Sequence, residues 1–329
     1  MSPWKYELGW NVSIIKAAQA GCQPMIEPTL NYVTCPGAAV QGGESHRMAY
    51  WEWNQTGNAQ HPHVVLCVHG LTRQGRDFDV LARALSQHAR VICPDVAGRG
   101  HSDWLANPMH YGVPQYAADM LCLLQQVHAF APISTLDWVG TSMGGLIGMA
   151  VAGNTQLLLP VPVRKLLLND VGPQLEWLAL QRIASYVGKQ LRFKTQQQAA
   201  DALRVLSAGF GPHTDAQWLA LSVPMLRPAP EGGWQLHYDP AIAQPMQGMT
   251  QAQSEKGQAV LWAMYDAIKA QTLLVRGAQS DLITAATAQA MQERGPLAQC
   301  IELEGVGHAP TFVADDQVAI ARNFLLGDE

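Results

Sequence analysis

Cysteine is sparse and unpatterned in this chain. The six present (Cys22, Cys35, Cys67, Cys93, Cys122, Cys300) form no CxxC pair and share no ligand-like spacing with histidine, which argues against a disulfide framework or a zinc module. They are expected as buried, reduced thiols in a cytoplasmic protein. An excess of basic residues is also missing: 21 Lys and Arg face 26 Asp and Glu, a formal net charge of −5. Nucleic acid and anionic membrane both need clustered positive charge, so neither is an expected partner. No run approaches the ~18 uninterrupted apolar residues of a membrane span. The apolar stretch 12–20 is interrupted by Lys16 and Gln19, with no A-x-A-like site after it, so no signal peptide is expected. There is no internal repeat and no low-complexity tract. A soluble protein acting on a small molecule remains.

What the chain does have is apolar material, 48% of 329 residues, enough for one α/β core with an elaboration. Short β-branched runs alternate with helical patterns, the signature of a mostly parallel twisted sheet flanked by helices on both faces. Strands are expected at 63–69, 90–93, 134–139, 166–169, 272–275 and 298–303, with a helix over 76–88. Residues 31–35 and 46–53 read as an antiparallel edge pair around a Gly42-Gly43 turn. The rhythm breaks over 173–265, where helical patterns at 177–191, 195–207 and 215–221 precede a Pro- and Gly-rich stretch at 224–234. That segment is expected to be a mostly helical cap inserted into a core made of 1–172 and 266–329.

The chemistry centres on Gly140-Thr141-Ser142-Met143-Gly144-Gly145, between an apolar strand and a helical pattern. A serine hydroxyl is a weak nucleophile, so it must be exposed on a sharp turn and given a base. Gly-x-Ser-x-Gly in strand-turn-helix context does the first, and the helix that follows favours developing negative charge at its N-terminus. The base and its partner are sought later in the chain, in the order serine, acid, histidine. His308, in the loop GVGHAP, is expected as general base, and Asp281, in RGAQSD, as the acid that orients it; Asp170, in LNDVGP, is the rival acid. Oxyanion donors are expected from the backbone N–H groups of Leu71, after the first parallel strand, and Met143. His69 is then a brace for that loop. The stretch DVAGRGHSD (95–103) lacks the Gly-Lys-Ser/Thr of a phosphate cradle and reads as a tight structural loop. His61 and His63 have metal-compatible spacing but no third ligand, so no metal or cofactor is expected.

Taken together, HGLTRQG, DVAGRGHSD, GTSMGG, RGAQSD and GVGHAP resemble the α/β-hydrolase superfamily, in the branch of esterases, enol-lactonases and carbon-carbon bond hydrolases. The resemblance covers about 48–171 and 271 to the end. It implies acyl chemistry, because relatives that displace halide or open epoxides carry aspartate at the position of Ser142. Carbon-carbon bond hydrolases usually show Gly-Pro-Gly where this chain has Leu71-Thr72-Arg73, which lowers that reading; a carboxylic ester is the leading substrate, with an enol-lactone or a ring-fission product as the rival. Arg73 is a candidate to bind a substrate carboxylate. Residues 232–240 with Met225, Met246 and Met249 are candidate cap lining. As a whole the chain looks similar to bacterial intracellular hydrolases of short hydroxy-acid esters, such as those of 3-hydroxybutyrate oligomers. A receptor that keeps its triad with little turnover is the reading from another class.

Overall fold

The computed structural model describes residues 27–37 and 44–327. The Gly42-Gly43 turn, the apolar stretch 12–20 and Cys22 lie outside the described residues. An eight-stranded sheet runs in the order β1-β2-β4-β3-β5-β6-β10-β11. Its strands are β1 (Thr29–Cys35), β2 (His46–Trp53), β3 (His63–Val68), β4 (Arg90–Pro94), β5 (Thr135–Thr141), β6 (Val163–Asn169), β10 (Gln271–Gly277) and β11 (Gln299–Leu303). The β1/β2 pair is antiparallel and joins β4 antiparallel; from β4 onward every pairing is parallel.

The central strands are apolar at consecutive positions because both faces are covered. In β3, Val64, Leu66 and Val68 enter one core cluster, while Val65 and Cys67 enter the other. The first cluster is closed by α2 (Val113–Phe130) and α3 (Met143–Gly153), the second by α1 (Asp79–Leu85) and α9 (Asp315–Leu326). The helix expected over 76–88 begins instead as a 3-10 turn, Gly75–Phe78, and becomes α-helical only at Asp79. Cys35, Cys67 and Cys93 are buried free thiols, and Cys122 and Cys300 are partly buried free thiols.

Between β6 and β10 the chain builds α4 (Trp177–Tyr186), β7 (Arg192–Phe193), α5 (Gln196–Leu206), α6 (Asp215–Ser222), β8 (Leu226–Pro228), β9 (Trp234–Leu236) and α7 (Gln251–Ala267). Helix α4 stops at Tyr186, short of the expected 191, because Val187 turns extended and Gly188 takes φ +84°. β7, β9 and β8 form a small antiparallel sheet that the sequence pattern does not reveal. Strands of two or three residues are too short to show the period-two alternation by which strands are read. Helix α7 packs on α3, and its Tyr265 is buried in the main core. After β10 come α8 (Ala285–Glu293), β11 and α9. Among the described residues no helix is long and apolar enough to cross a membrane.

Candidate active site

Ser142 stands at the junction of β5 and α3 with φ 51° and ψ −115°, a conformation costly for a non-glycine residue and held by its surroundings. Its N–H donates to the Asn169 carbonyl at 3.0 Å. The flanking glycines are demanded by packing: a Cβ on Gly140 would strike the Gly144 carbonyl, and one on Gly144 would strike the Val68 backbone. The Gly-x-Ser-x-Gly spacing is therefore the condition for β3, β5 and α3 to meet tightly enough to lift Ser142 out of the sheet. Trp138 Nε1 donates to the Gly144 carbonyl at 3.1 Å and ties the helix start to β5.

Ser142 Oγ and His308 Nε2 are 3.0 Å apart, and His308 Nδ1 lies 2.7 Å from Asp170 Oδ2. Asp170 is wholly buried. Its Oδ1 accepts the Gly277 N–H at 2.9 Å, and its Oδ2 accepts the Ser280 hydroxyl at 2.6 Å besides facing the imidazole. Asn169 beside it donates to the Pro310 carbonyl (2.8 Å) and to Thr141 Oγ1 (3.0 Å), clamping the histidine loop to the ends of β5 and β6.

The expectation that Asp281 partners His308 is corrected by this geometry. Asp281 is exposed and forms a two-pronged ion pair with Arg182 of α4, at 2.7 and 2.8 Å. The reason lies in the order of strands. β6 is next to β5 and pairs with β10, so the residue just past β6 lies between the serine's strand and the loop after β10. That loop supports Asp170 through Ser280 and Gly277 and does not supply the partner of His308. The other supporting residue, Asn169, carries no sequence signal that separates it from an ordinary strand end.

Leu71 follows β3, and Met143 is the first residue of α3, so its N–H has no partner within the helix. The Gly70–Leu71 peptide is oriented from behind. Its carbonyl, on Gly70, accepts from His69 Nδ1 at 2.7 Å and from the Arg73 N–H at 3.1 Å. A trans peptide then turns the Leu71 N–H to the opposite side. His69 Nε2 accepts the Val96 N–H at 3.0 Å, which makes this imidazole neutral, with its proton on Nδ1. His69 thus braces the loop, as expected.

Burial, reinforced by the Arg99 and Arg73 cations, pushes the His69 pKa down to about 3. Burial, with His101 and Arg227, takes His237 down to about 4. An unfolded histidine binds its proton near about 6.5, so below that pH protons favour the unfolded chain. Stability from these two residues is intact above about 6.5 and is lost as pH falls toward their folded values. The urea unfolding midpoint should drop between pH 7 and pH 5, and His69→Gln should flatten part of that slope. A slope unchanged by His69→Gln contradicts the assignment.

Ser142, His308, Gly70 and Leu71 open onto a cavity of about 370 Å³ whose other wall comes from the segment between β6 and β10, including Ile183, Leu203, Phe210, Leu236 and Tyr238. Of the cap residues expected to line it, Met225 does, as do Leu236 and Tyr238 from 232–240; Met246 and Met249 are not among the lining residues. The lining carries Arg73, Arg182 and Lys189 but no aspartate or glutamate. Arg73 is at the wall, as expected, yet its guanidinium is engaged by Asp77 at 2.6 and 2.7 Å and by the Leu221 carbonyl at 3.0 Å, and it touches Met225 Sδ. Its charge is matched within the protein, so it braces the loop after β3 against the inserted segment instead of presenting a free cation. Lys189, whose surroundings in the sequence mark it only as part of a helical run, has no ion-pair partner among the described residues.

The loop 95–103 is structural, as expected: buried Asp95 accepts the N–H groups of Gly75 (2.7 Å) and His101 (2.8 Å). His63 pairs with Asp137 at 2.7 Å, a contact that needs no metal. Among the described residues, ligand-bearing atoms of Cys35, His46 and Asp119 come within 4.8 Å of one another. They sit where β1, β2 and α2 meet, and the Asp119 carboxylate is already held by His46 (3.0 Å) and Gln115 (2.7 Å).

Comparison with known proteins identifies the family. Residues 65–322 match the model of the alpha/beta hydrolase family. A Cupriavidus necator protein named 3-hydroxybutyrate-oligomer hydrolase is 47% identical over 303 residues, 91% of this chain and 98% of that one. Among solved structures, an alpha/beta hydrolase from Novosphingobium aromaticivorans is 32% identical with a TM-score of 0.75, covering 91% of this chain and 98% of its own. A chain from Rickettsia typhi superimposes with a TM-score of 0.80 at 27% identity, covering 92% and 100%. The strand order, the serine turn and these similarities together make the chain a member of the alpha/beta hydrolase family.

Proposed function

We propose that this protein hydrolyses carboxylic esters of short hydroxy-acid oligomers through an acyl-enzyme on Ser142. The observation that carries the reading is the unbroken hydrogen-bonded series from Ser142 Oγ through His308 to the buried Asp170. His308 takes the serine proton through Nε2 as the hydroxyl attacks the ester carbonyl, then delivers it to the departing alcohol. Asp170 holds Nδ1–H and stabilises the imidazolium that forms in between. The Leu71 and Met143 N–H groups receive the oxyanion, an interaction worth about 2.7–4 kcal/mol per donor in comparable sites. Water, activated by the same histidine, then releases the acid. Each step uses a group the chain itself provides.

The substrate class rests on two supports. The 47% identical relative is named for 3-hydroxybutyrate oligomers, and the cavity combines apolar walls with cations and no carboxylate. In this reading the segment 173–265 acts as a cap, and the free thiols suit a reducing, cytoplasmic setting. The test is a panel of hydroxybutyrate dimer and trimer, a chromogenic short-acyl ester and a vinylogous dienoate, run on one preparation. Oligomers should be preferred; turnover of the dienoate alone would overturn the ester reading.

Lys189 is the cation in this wall best placed to meet a terminal carboxylate, since Arg73 and Arg182 are each paired with an aspartate. Lys189→Ala should raise KM for carboxylate-terminated oligomers about two- to fivefold, the scale of one solvent-exposed charge pair. Methyl-capped oligomers should be unaffected; an equal rise for both rejects the role.

A further inference from the structure

Arg99, in the loop DVAGRGHSD, is wholly buried. Its Nε donates to the Leu71 carbonyl at 2.8 Å, Nη1 donates to the Ala97 carbonyl (2.7 Å) and to Tyr116 Oη (2.8 Å), and Nη2 lies 3.7 Å from Met143 Sδ. The guanidinium also stacks over the rings of Tyr111 and Tyr116, at 5.7 and 5.1 Å. One side chain therefore touches both Leu71 and Met143, the proposed oxyanion donors. No carboxylate among the described residues is within ion-pair distance of it. Asp239 is held off by the Tyr111 hydroxyl, which donates to it at 2.7 Å.

A buried cation without a countercharge is expensive, and a fold that needed only a loop brace could use a neutral donor. The cost is offset where negative charge appears nearby during reaction. We infer that Arg99 is a positioning residue for the oxyanion hole: it holds the carbonyl of the Leu71–Thr72 peptide, the unit next to the one that carries the Leu71 N–H, and places an unmatched positive charge behind the developing oxyanion. Two independent contacts set the plane of this segment, since His69 holds the preceding carbonyl, on Gly70, while Arg99 holds that of Leu71. The same loop is tied to the inserted segment, with the Asp239 N–H on the Gly98 carbonyl (2.8 Å) and the Gly100 N–H on the His237 carbonyl (2.9 Å). The oxyanion donors are thereby referenced to both walls of the cavity.

This inference rests on the serine-hydrolase reading, and its test separates the two. A trifluoromethyl ketone, which adds Ser142 and forms an oxyanion, is compared with the corresponding methyl ketone, which binds chiefly as an unreacted carbonyl. Arg99→Met should lower kcat about 30-fold, with KM within about threefold, and weaken the trifluoromethyl ketone by a similar factor, a loss smaller than deleting a donor outright. The methyl ketone should weaken less than about threefold, and Arg99→Lys, which keeps the charge, should recover part of the loss. Circular dichroism and the unfolding midpoint check that the variants are folded. If Arg99→Met does not fold, Tyr116→Phe loosens one guanidinium anchor and should weaken the trifluoromethyl ketone selectively. Equal weakening of both ketones, or unchanged kcat in a folded Arg99→Met, overturns the inference. Failure of the unmodified protein to turn over esters or bind the trifluoromethyl ketone overturns the serine-hydrolase reading instead.

Discussion

Asp170→Asn should lower kcat for ester hydrolysis by about four orders of magnitude, the loss seen when the aspartate of a serine triad is amidated, while Asp281→Asn should change it less than about threefold. The asymmetry follows from the donors around each carboxylate. Asp170 Oδ1 accepts a backbone N–H from Gly277, a donor that cannot rotate away. In the asparagine variant the side-chain oxygen must keep that bond, because an NH2 there would set donor against donor in a fully buried position. The NH2 is then forced toward His308 Nδ1 and selects the tautomer with the proton on Nε2, which cannot accept the Ser142 proton. The Ser280 hydroxyl can reorient; the backbone cannot. Asp281 loses only an exposed pair with Arg182, both partners being nearly half accessible, worth about 0.2–1 kcal/mol. Steady-state rates for the two variants, with unfolding midpoints to confirm intact folds, decide the matter. A crippled Asp281→Asn beside a near-normal Asp170→Asn would return the acid to the loop after β10.

Ser142→Ala should remove about 10⁶-fold of kcat, the scale of deleting a triad serine elsewhere, and abolish labelling by a serine-directed phosphonate. Alanine takes the φ of 51° at much the same cost as serine, and the surrounding glycine contacts do not involve Oγ, so the variant should fold and still bind substrate. Binding without turnover separates loss of the nucleophile from loss of the site. The comparison also addresses the receptor alternative: a parental protein that binds oligomers yet hydrolyses them no faster than Ser142→Ala would be a sensor. Turnover near the parental rate in Ser142→Ala would reject the mechanism.

Much of this molecule is legible along the chain because the deciding interactions are local or repetitive. The parallel strands show as unbroken apolar runs, since helices cover both faces of β3, β4 and β5. Ser142 shows through its glycine neighbours, whose spacing is imposed by the contacts of Gly140 and Gly144 within one strand-turn-helix unit. His308 shows because a histidine between glycine and alanine after a late strand has little reason to be core.

Other features depend on who lies beside whom. Asp170 and Asp281 each follow a strand and open a polar loop, so nothing in their own neighbourhoods ranks them; Asp170 wins because β6 is adjacent to β5, with Ser280 and Gly277 left to hold it. Arg73 and Lys189 are both cations near the cavity, and only the packing shows that Asp77 engages one of them while Lys189 has no ion-pair partner among the described residues. Arg99 reads as part of a tight loop until the fold brings Leu71 and Met143 against it. The sequence by itself determined the strands of the main sheet and the choice of Ser142 and His308 as proposed nucleophile and base, which short stretches of chain specify. The partner of His308, the bracing of the loop that carries Leu71 and the charge of the cavity wall were decided by tertiary structure, because each is a relation between segments that only strand order and packing bring together.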